Sequence, residues 1–246
     1  MTFCSTIRPL GESCQGPKII FATATSADAC NSRISARVVS SGNDATHFVG
    51  CSGLVALHDC RFQGMLDDAT NVHGHYARIQ EQPEPNQVLV RHMHGQQRGF
   101  QLAAPGEQVA WVDPATFAHR QILTVTAFTR VDAEQALITF DAPWDTGTPD
   151  GLIENLSRQP DLTVSGCHFS GNRARGMLVA TRGSVRITNN HIAAPGVQAH
   201  SVSELSISGN RLEPVPGLAD AMNSRSQGPF NIRDCGEVEL SDNALI

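Results

Sequence analysis

The 246-residue chain is predicted to be all-β: a right-handed parallel β-helix with an inserted small antiparallel β-barrel or sheet. Three observations predict it. One eight-residue pattern occurs five times, two of its copies follow their predecessors by about one β-helix coil, and a long central stretch drops the pattern while keeping strand signals of its own. The pattern is apolar, any, apolar, any, any, Cys or Asn, any, apolar. It fits Val55-Ala-Leu57-His-Asp-Cys60-Arg-Phe62, Leu162–Phe169, Val185–Ile192, Leu205–Leu212 and Val238–Leu245, at successive spacings of 107, 23, 20 and 33 residues.

The elements follow in order. Residues 1–43 carry Cys4, Cys14 and Cys30 among Ser, Thr and Ala, show no convincing period, and read as an irregular leader. Residues 44–79 and 161–246 are assigned to β-helix coils. Alternation of period two makes each segment a half-buried strand, and the recurring Asn or Cys suits a sharp bend where side chains ladder between coils. A helical solenoid would need apolar residues three and four apart, which these segments lack. Residues 80–160 are too long for a structureless loop and are expected to fold separately. There Gln87–Arg91, Gln108–Val112, Gln121–Val131 and Gln135–Phe140 read as strands, the last two joined by Asp132-Ala-Glu134.

Composition narrows the function. With 40% apolar and 17% charged residues and a net charge of −6, the chain is expected to fold and to bind neither nucleic acid nor an anionic membrane. No apolar run is long enough to span a bilayer, and no signal peptide is visible at the start. Seven cysteines are too few for a disulfide scaffold and read as small apolar residues.

In a β-helix, equal positions in successive coils stand about 4.8 Å apart and form columns. Asp67 lies five residues beyond the rung ending at Phe62, with Asp68 next to it. One coil back, a weak rung Ile34–Val39 puts Asp44 at the same offset; beyond the insertion, that offset falls on Ala174, between Arg173 and Arg175. The repeat of Asp44-Ala-Thr46 as Asp68-Ala-Thr70 has a spacing of 24, so the register is open by one residue. Carboxylates this close raise one pKa while a guanidinium lowers another, separating an acid from a base. Glycoside hydrolysis uses such a pair, about 6.5–9.5 Å apart for inversion and about 5–5.5 Å for retention. The competing reading is that Asp at a bend serves the turn alone. Repulsion between Asp67 and Asp68 predicts that Asp68→Asn leaves stability unchanged or raised. His73 with His75, and His92 with His94, are spaced to share a strand face, but no third ligand makes a zinc site. Asn155-Leu-Ser157 matches a glycosylation sequon, a match that chance supplies often enough to carry no reading.

The run Asp44-Ala-Thr-His-Phe-Val-Gly-Cys51, then Cys60-Arg-Phe62, then Asp67-Asp68-Ala-Thr-Asn-Val-His-Gly74 with Tyr76, resembles glycoside hydrolase family 110, the exo-acting α-1,3-galactosidases. So do Gly99-Phe100, Pro105-Gly106-Glu107, Ile153-Glu-Asn155, Asn172-Arg-Ala-Arg-Gly176, Leu178-Val179, Thr181 and Asn189-Asn190. The resemblance spans roughly residues 44–196. It implies a β-helix with inserted β-barrel material, no metal or other cofactor, and inverting hydrolysis of terminal α-1,3-linked galactose, as on blood group B type and linear α-galactosyl glycans. It also implies an extracellular or periplasmic location and maps catalysis onto Asp44, Asp67 and Asp68. The expected roles are Asp44 as general acid and Asp67 or Asp68 as base, with Asn71, His73, Arg173 and Arg175 binding substrate. Ahead of Asp44 almost none of the family's coils are found, and the leader reads as a shifted frame or a wrong start. The alternatives are a polygalacturonase-like hydrolase on the same fold and an inactive truncated β-helix that at most binds glycans.

Overall fold

The computed structural model describes residues 20–23, 39–40, 42–145, 151–213 and 229–246. They form two units, one from residues 1–73 with 160–246, the other Gly74–Gln159. The weak rung Ile34–Val39 lies outside the described residues except for Val39, and so does most of the leader.

The first unit holds three parallel sheets. The first orders β1 (Ile20–Thr23), β3 (Leu54–His58), β12 (Asp161–Ser165), β15 (Ser184–Thr188), β18 (Glu204–Ser208) and β21 (Glu237–Ser241). The second stacks β4 (Arg61–Gln63), β13 (His168–Ser170), β16 (His191–Ala193), β19 (Arg211–Leu212) and β22 (Ala244–Leu245). The third stacks β2 (Thr46–Val49), β5 (Thr70–His73), β14 (Met177–Ala180), β17 (Val197–His200) and β20 (Phe230–Arg233). From β3 onward the chain visits first, second and third sheet in that order and begins again. Inside the leader, Ile20–Thr23 pairs in parallel with Val55–His58.

All five pattern segments lie in one register: Val55, Leu162, Val185, Leu205 and Val238 are neighbours in successive circuits. The apolar positions of the first four face one core, where Val55, Leu57, Leu162, Val164, Ile187 and Ile207 are buried. Each such side chain contributes about 1.5–3 kcal/mol by leaving water. Phe62 stacks on Phe169 with ring centroids 5.0 Å apart.

The fixed Asn or Cys makes a ladder. The Cys167 N–H donates to Asn190 Oδ1 at 2.8 Å, Asn190 N–H to Asn210 Oδ1 at 2.9 Å, and Asn210 N–H to Asn243 Oδ1 at 3.1 Å. The amide nitrogens of Asn190, Asn210 and Asn243 donate in turn to the Val164, Ile187 and Ile207 carbonyls. Cys60 and Cys167 hold the same rung with thiols, the Cys60 N–H reaching Cys167 Sγ at 3.4 Å. The bend itself comes from the residue before each: Asp59, Gly166, Asn189, Gly209 and Asp242 all have φ between +52° and +66°. Only Gly, Asn and Asp visit that region readily, and those are the residues found there. At Gly209 a Cβ would also lie 2.5 Å from Asn189 Oδ1.

The second unit is a closed antiparallel barrel of β6 (Tyr76–Glu84), β7 (Gln87–His92), β8 (Gln108–Val112), β9 (His119–Arg130), β10 (Gln135–Phe140) and β11 (Leu152–Asn155), in the order β10-β7-β6-β11-β8-β9. Four of these match the sequence expectation within two residues. The two unexpected strands, β6 and β11, close the barrel. The Asp132 carboxylate accepts from Glu134 N–H and Gln135 N–H, both at 2.7 Å, and so makes the expected turn. Val88, Val90, Val109, Ile138 and Ile153 fill the interior.

Candidate active site

The candidate residues gather at the start of the third sheet and on its outer face. Phe48, Val72, Val179 and Ala199 point into the core, so by strand alternation His47, Asn71 and Gln198 share the opposite face, as do His73, His200 and Arg233. The residues two places before β2, β5 and β14 are Asp44, Asp68 and Arg175, and they meet at this end of the sheet.

The register is 24, because Thr46 pairs with Thr70 and Thr70 with Met177. Asp44, Asp68 and Arg175 therefore form the column, and Asp67 stands beside it. The Asp68 N–H donates to Asp44 Oδ1 at 3.0 Å, and the Arg175 N–H donates to Asp68 Oδ1 at 2.9 Å. Each carboxylate thus caps the backbone of the next circuit. Asp68 is 1% exposed. Arg175 grips it with Nε on Oδ1 at 2.8 Å and Nη2 on Oδ2 at 2.9 Å, a bidentate pair.

The other oxygen of Asp44, Oδ2, accepts from Asn71 Nδ2 at 3.2 Å and faces His47 Nδ1 at 3.1 Å. His47 Nε2 meets His73 Nε2 at 2.8 Å. Asp67 is exposed and lends Oδ1 to the Asp68 N–H at 3.1 Å. Partial burial, then Asp44, then Asp68 raise its pKa above the ordinary aspartate value, opposed by that N–H and by Arg175. Asn71 Oδ1 is buried with no hydrogen-bond partner.

Arg175 is therefore committed to Asp68 rather than open to substrate, whereas Arg173 is exposed, its backbone N–H donating to the Met65 carbonyl at 2.8 Å. Three residues outside the sequence expectation join the site. Gln198 Oε1 accepts from Arg175 Nη1 at 3.0 Å, Gln198 Nε2 faces His200 Nε2 at 2.5 Å, and His47 links Asp44 to His73. Their signal in the sequence was register alone: Gln198 and His200 lie two and four residues after Gly196, which follows Gly176 by one circuit of 20.

One oxygen from each of Asp44, Asp67 and Asp68 lies within 4.8 Å of the others, close enough to hold a cation. Arg175 already occupies both oxygens of Asp68, while Asn71 and the Asp68 N–H hold those of Asp44, so this carboxylate set does not fit one well. The paired histidines do not share faces as expected. His73 meets His47, while His75, in the barrel unit, meets His92 Nδ1 at 3.1 Å and stacks on Phe100 at 4.7 Å. His94 caps the short 3-10 turn Gly95–Gln97. Asn155 is buried, its Nδ2 donating to Leu102 O and Glu107 Oε2, so the sequon is no glycosylation acceptor. Glu154 is likewise buried, held by Tyr76 and His119 within the barrel.

Residues 87–151 match the family described as GLAA-B beta-barrel domain II. Alpha-1,3-galactosidase A of Shewanella woodyi is 41% identical over 164 residues, 65% of this chain and 27% of that protein. The chain is similar to α-1,3-galactosidases. Alpha-1,3-galactosidase B of Bacteroides thetaiotaomicron is 34% identical over 161 residues, 65% of this chain and 26% of that protein. Alpha-1,3-galactosidase A of Streptomyces avermitilis is 31% identical over 208 residues, 79% of this chain and 33% of that protein. The chain thus spans about a quarter to a third of the length of these relatives of α-1,3-galactosidase name.

Proposed function

We propose that this chain carries the catalytic aspartates of an exo-glycosidase that removes terminal α-1,3-linked galactose from glycans outside the cell, on a right-handed parallel β-helix. One observation carries the reading: three carboxylates with oxygens within 4.8 Å of each other, one of them biased toward its acid form, in a chain similar to α-1,3-galactosidases. The repeated circuit through three parallel sheets supports the β-helix, and right-handed connection is the strong rule for parallel crossovers.

The roles follow from the surroundings of each carboxyl. Asp67 is exposed with a raised pKa and is assigned as proton donor to the glycosidic oxygen, in place of Asp44. Asp44, with Oδ2 oriented by Asn71 and His47, is assigned as the base that activates water. Asp68 is the anchored member, which Arg175 keeps from rotating. Asn71 and His73, on the outer face of the sheet, and exposed Arg173, two residues before Arg175, are assigned to sugar hydroxyls.

The inverting course is proposed from the family resemblance. The carboxylate oxygens approach more closely than the roughly 6.5–9.5 Å of inverting pairs, so stereochemistry is the test. With an α-1,3-galactosyl disaccharide followed by NMR, β-galactose should appear first, and first appearance of the α-anomer excludes inversion. Release of reducing ends from polygalacturonate but not from galactosides would favour the pectin-type alternative, and saturable binding without turnover would leave a glycan-binding module.

A further inference from the structure

We propose that Gln198 and His200 are positioning residues of the aspartate site. They form a hydrogen-bond relay on the outer face of the third sheet that holds Arg175 on Asp68 while the His200 imidazole is neutral and lets go when it is protonated. The proposal rests on the glycosidase reading above and names a control on it.

Chemistry fixes the direction of every bond in the relay. A guanidinium has five N–H donors and no acceptor, so the Gln198 atom 3.0 Å from Arg175 Nη1 is the amide oxygen. The amide nitrogen of Gln198 then faces His200 Nε2 at 2.5 Å. An amide nitrogen only donates, so Nε2 carries the lone pair and the ring proton sits on Nδ1. The relay is satisfied only with His200 neutral.

The surroundings favour that state. The residue beside His200 on β14 is Ala180, and on β20 it is Arg233, followed by Asp234. Burial, then Arg233, push the His200 pKa below the ordinary histidine value. Asp234 opposes them and Arg175 adds to them. A proton on Nε2 would point at the Gln198 NH₂. Turning the amide to accept it would set that NH₂ against the Arg175 guanidinium, so no amide orientation satisfies both neighbours. Arg175 then keeps Asp68 without its lateral support.

The test uses the full chain with labelled histidines. His200 is expected to titrate below the ordinary histidine range in the wild type. In Gln198→Glu, whose carboxylate accepts from both Arg175 and a protonated imidazole, the midpoint should rise by about one unit, tenfold in proton affinity. With α-1,3-galactosyl disaccharide as substrate, His200→Leu should lower kcat about tenfold with KM changed far less, the signature of a misplaced catalytic group. His200→Gln supplies a non-titrating acceptor; it should recover part of that loss and move the acid limb of the pH profile downward. A His200 midpoint unmoved by Gln198→Glu, or a wild-type kcat and pH profile in His200→Leu, overturns the relay. If the wild type releases no galactose the glycosidase reading falls, and the NMR titration alone decides the relay.

Discussion

Asp67 and Asp68 are adjacent in the chain and opposite in circumstance, so the same substitution should act oppositely on them. Asp68 is buried against a guanidinium and caps the Arg175 N–H, and removing its charge leaves Arg175 partly buried without a counter-ion. Repulsion from Asp67 would make Asp68→Asn neutral or stabilising, but the bidentate Arg175 outweighs Asp67. Asp68→Asn is expected to cost about 1–3 kcal/mol, discounted from the value for a fully buried pair because Arg175 retains some solvent. Urea unfolding measures it. Asp67→Asn removes a repelled, exposed carboxylate, so the same melt should show unchanged or higher stability while galactoside turnover falls about 10²-fold or more. Stability unaffected by Asp68→Asn would mean that the bidentate pair contributes nothing to the fold. The pH dependence follows from sign. A carboxyl whose folded pKa is raised binds its proton more tightly when folded, so Asp67 makes stability fall as pH rises from the ordinary aspartate value through the raised one. Asp113, Asp132 and Glu134, whose pKa values are lowered, contribute the opposite sign, so the check is the difference: Asp67→Asn should lose less stability than the wild type, or gain more, over that rise in pH.

At the scale of the element, the ladder decides how circuits are joined. Asn190 accepts from the Cys167 N–H and donates to the Val164 carbonyl and to Asn210, all buried. Asn190→Leu would orphan a buried donor and acceptor and is expected to cost about 2–4 kcal/mol. Asn190→Cys, the residue present on the same rung at positions 60 and 167, should cost distinctly less, and equal losses would assign the cost to volume alone. The thiols of that rung are core residues. A hydrogen bond with the Cys60 thiol, then burial, push the Cys167 pKa far up and leave little thiolate.

At the scale of the molecule, the last circuit breaks the burial rule that the others obey. Leu205 and Ile207 are buried, while their register partners Val238 and Leu240 are 43% and 49% exposed, and Leu245 is 66% exposed. Among the described residues β21 and β22 stand at the edges of their sheets, and an apolar face beside a sheet edge templates association. Expressed as these 246 residues, the protein is expected to form larger species with increasing concentration in sedimentation velocity. Val238→Lys with Leu240→Lys should suppress them, and a monomer at all concentrations would show that the face stays solvated. The described residues contain no helix long and apolar enough to cross a membrane.

The sequence by itself determined the strands of the first two sheets from β3 onward, while β1 lay in the stretch read as irregular. An alternating pattern ending in Asn or Cys leaves one way to bury every apolar side chain, and slipping by one residue would turn them all to water. It also announced four barrel strands and the three aspartates. The bend was expected at the Asn or Cys itself, whereas the structure puts the left-handed residue one position earlier, at Asp59, Gly166, Asn189, Gly209 and Asp242. Tertiary structure decided the rest. The strands β6 and β11 escaped notice because Pro83 interrupts one and the other is four residues with buried Glu154 and Asn155, so only barrel closure makes them strands. The choice between registers of 23 and 24 was equally beyond local reading. Backbone pairing of Thr46 with Thr70 settled it, and that single residue of difference sends Asp68 inward to Arg175 and leaves Asp67 facing solvent.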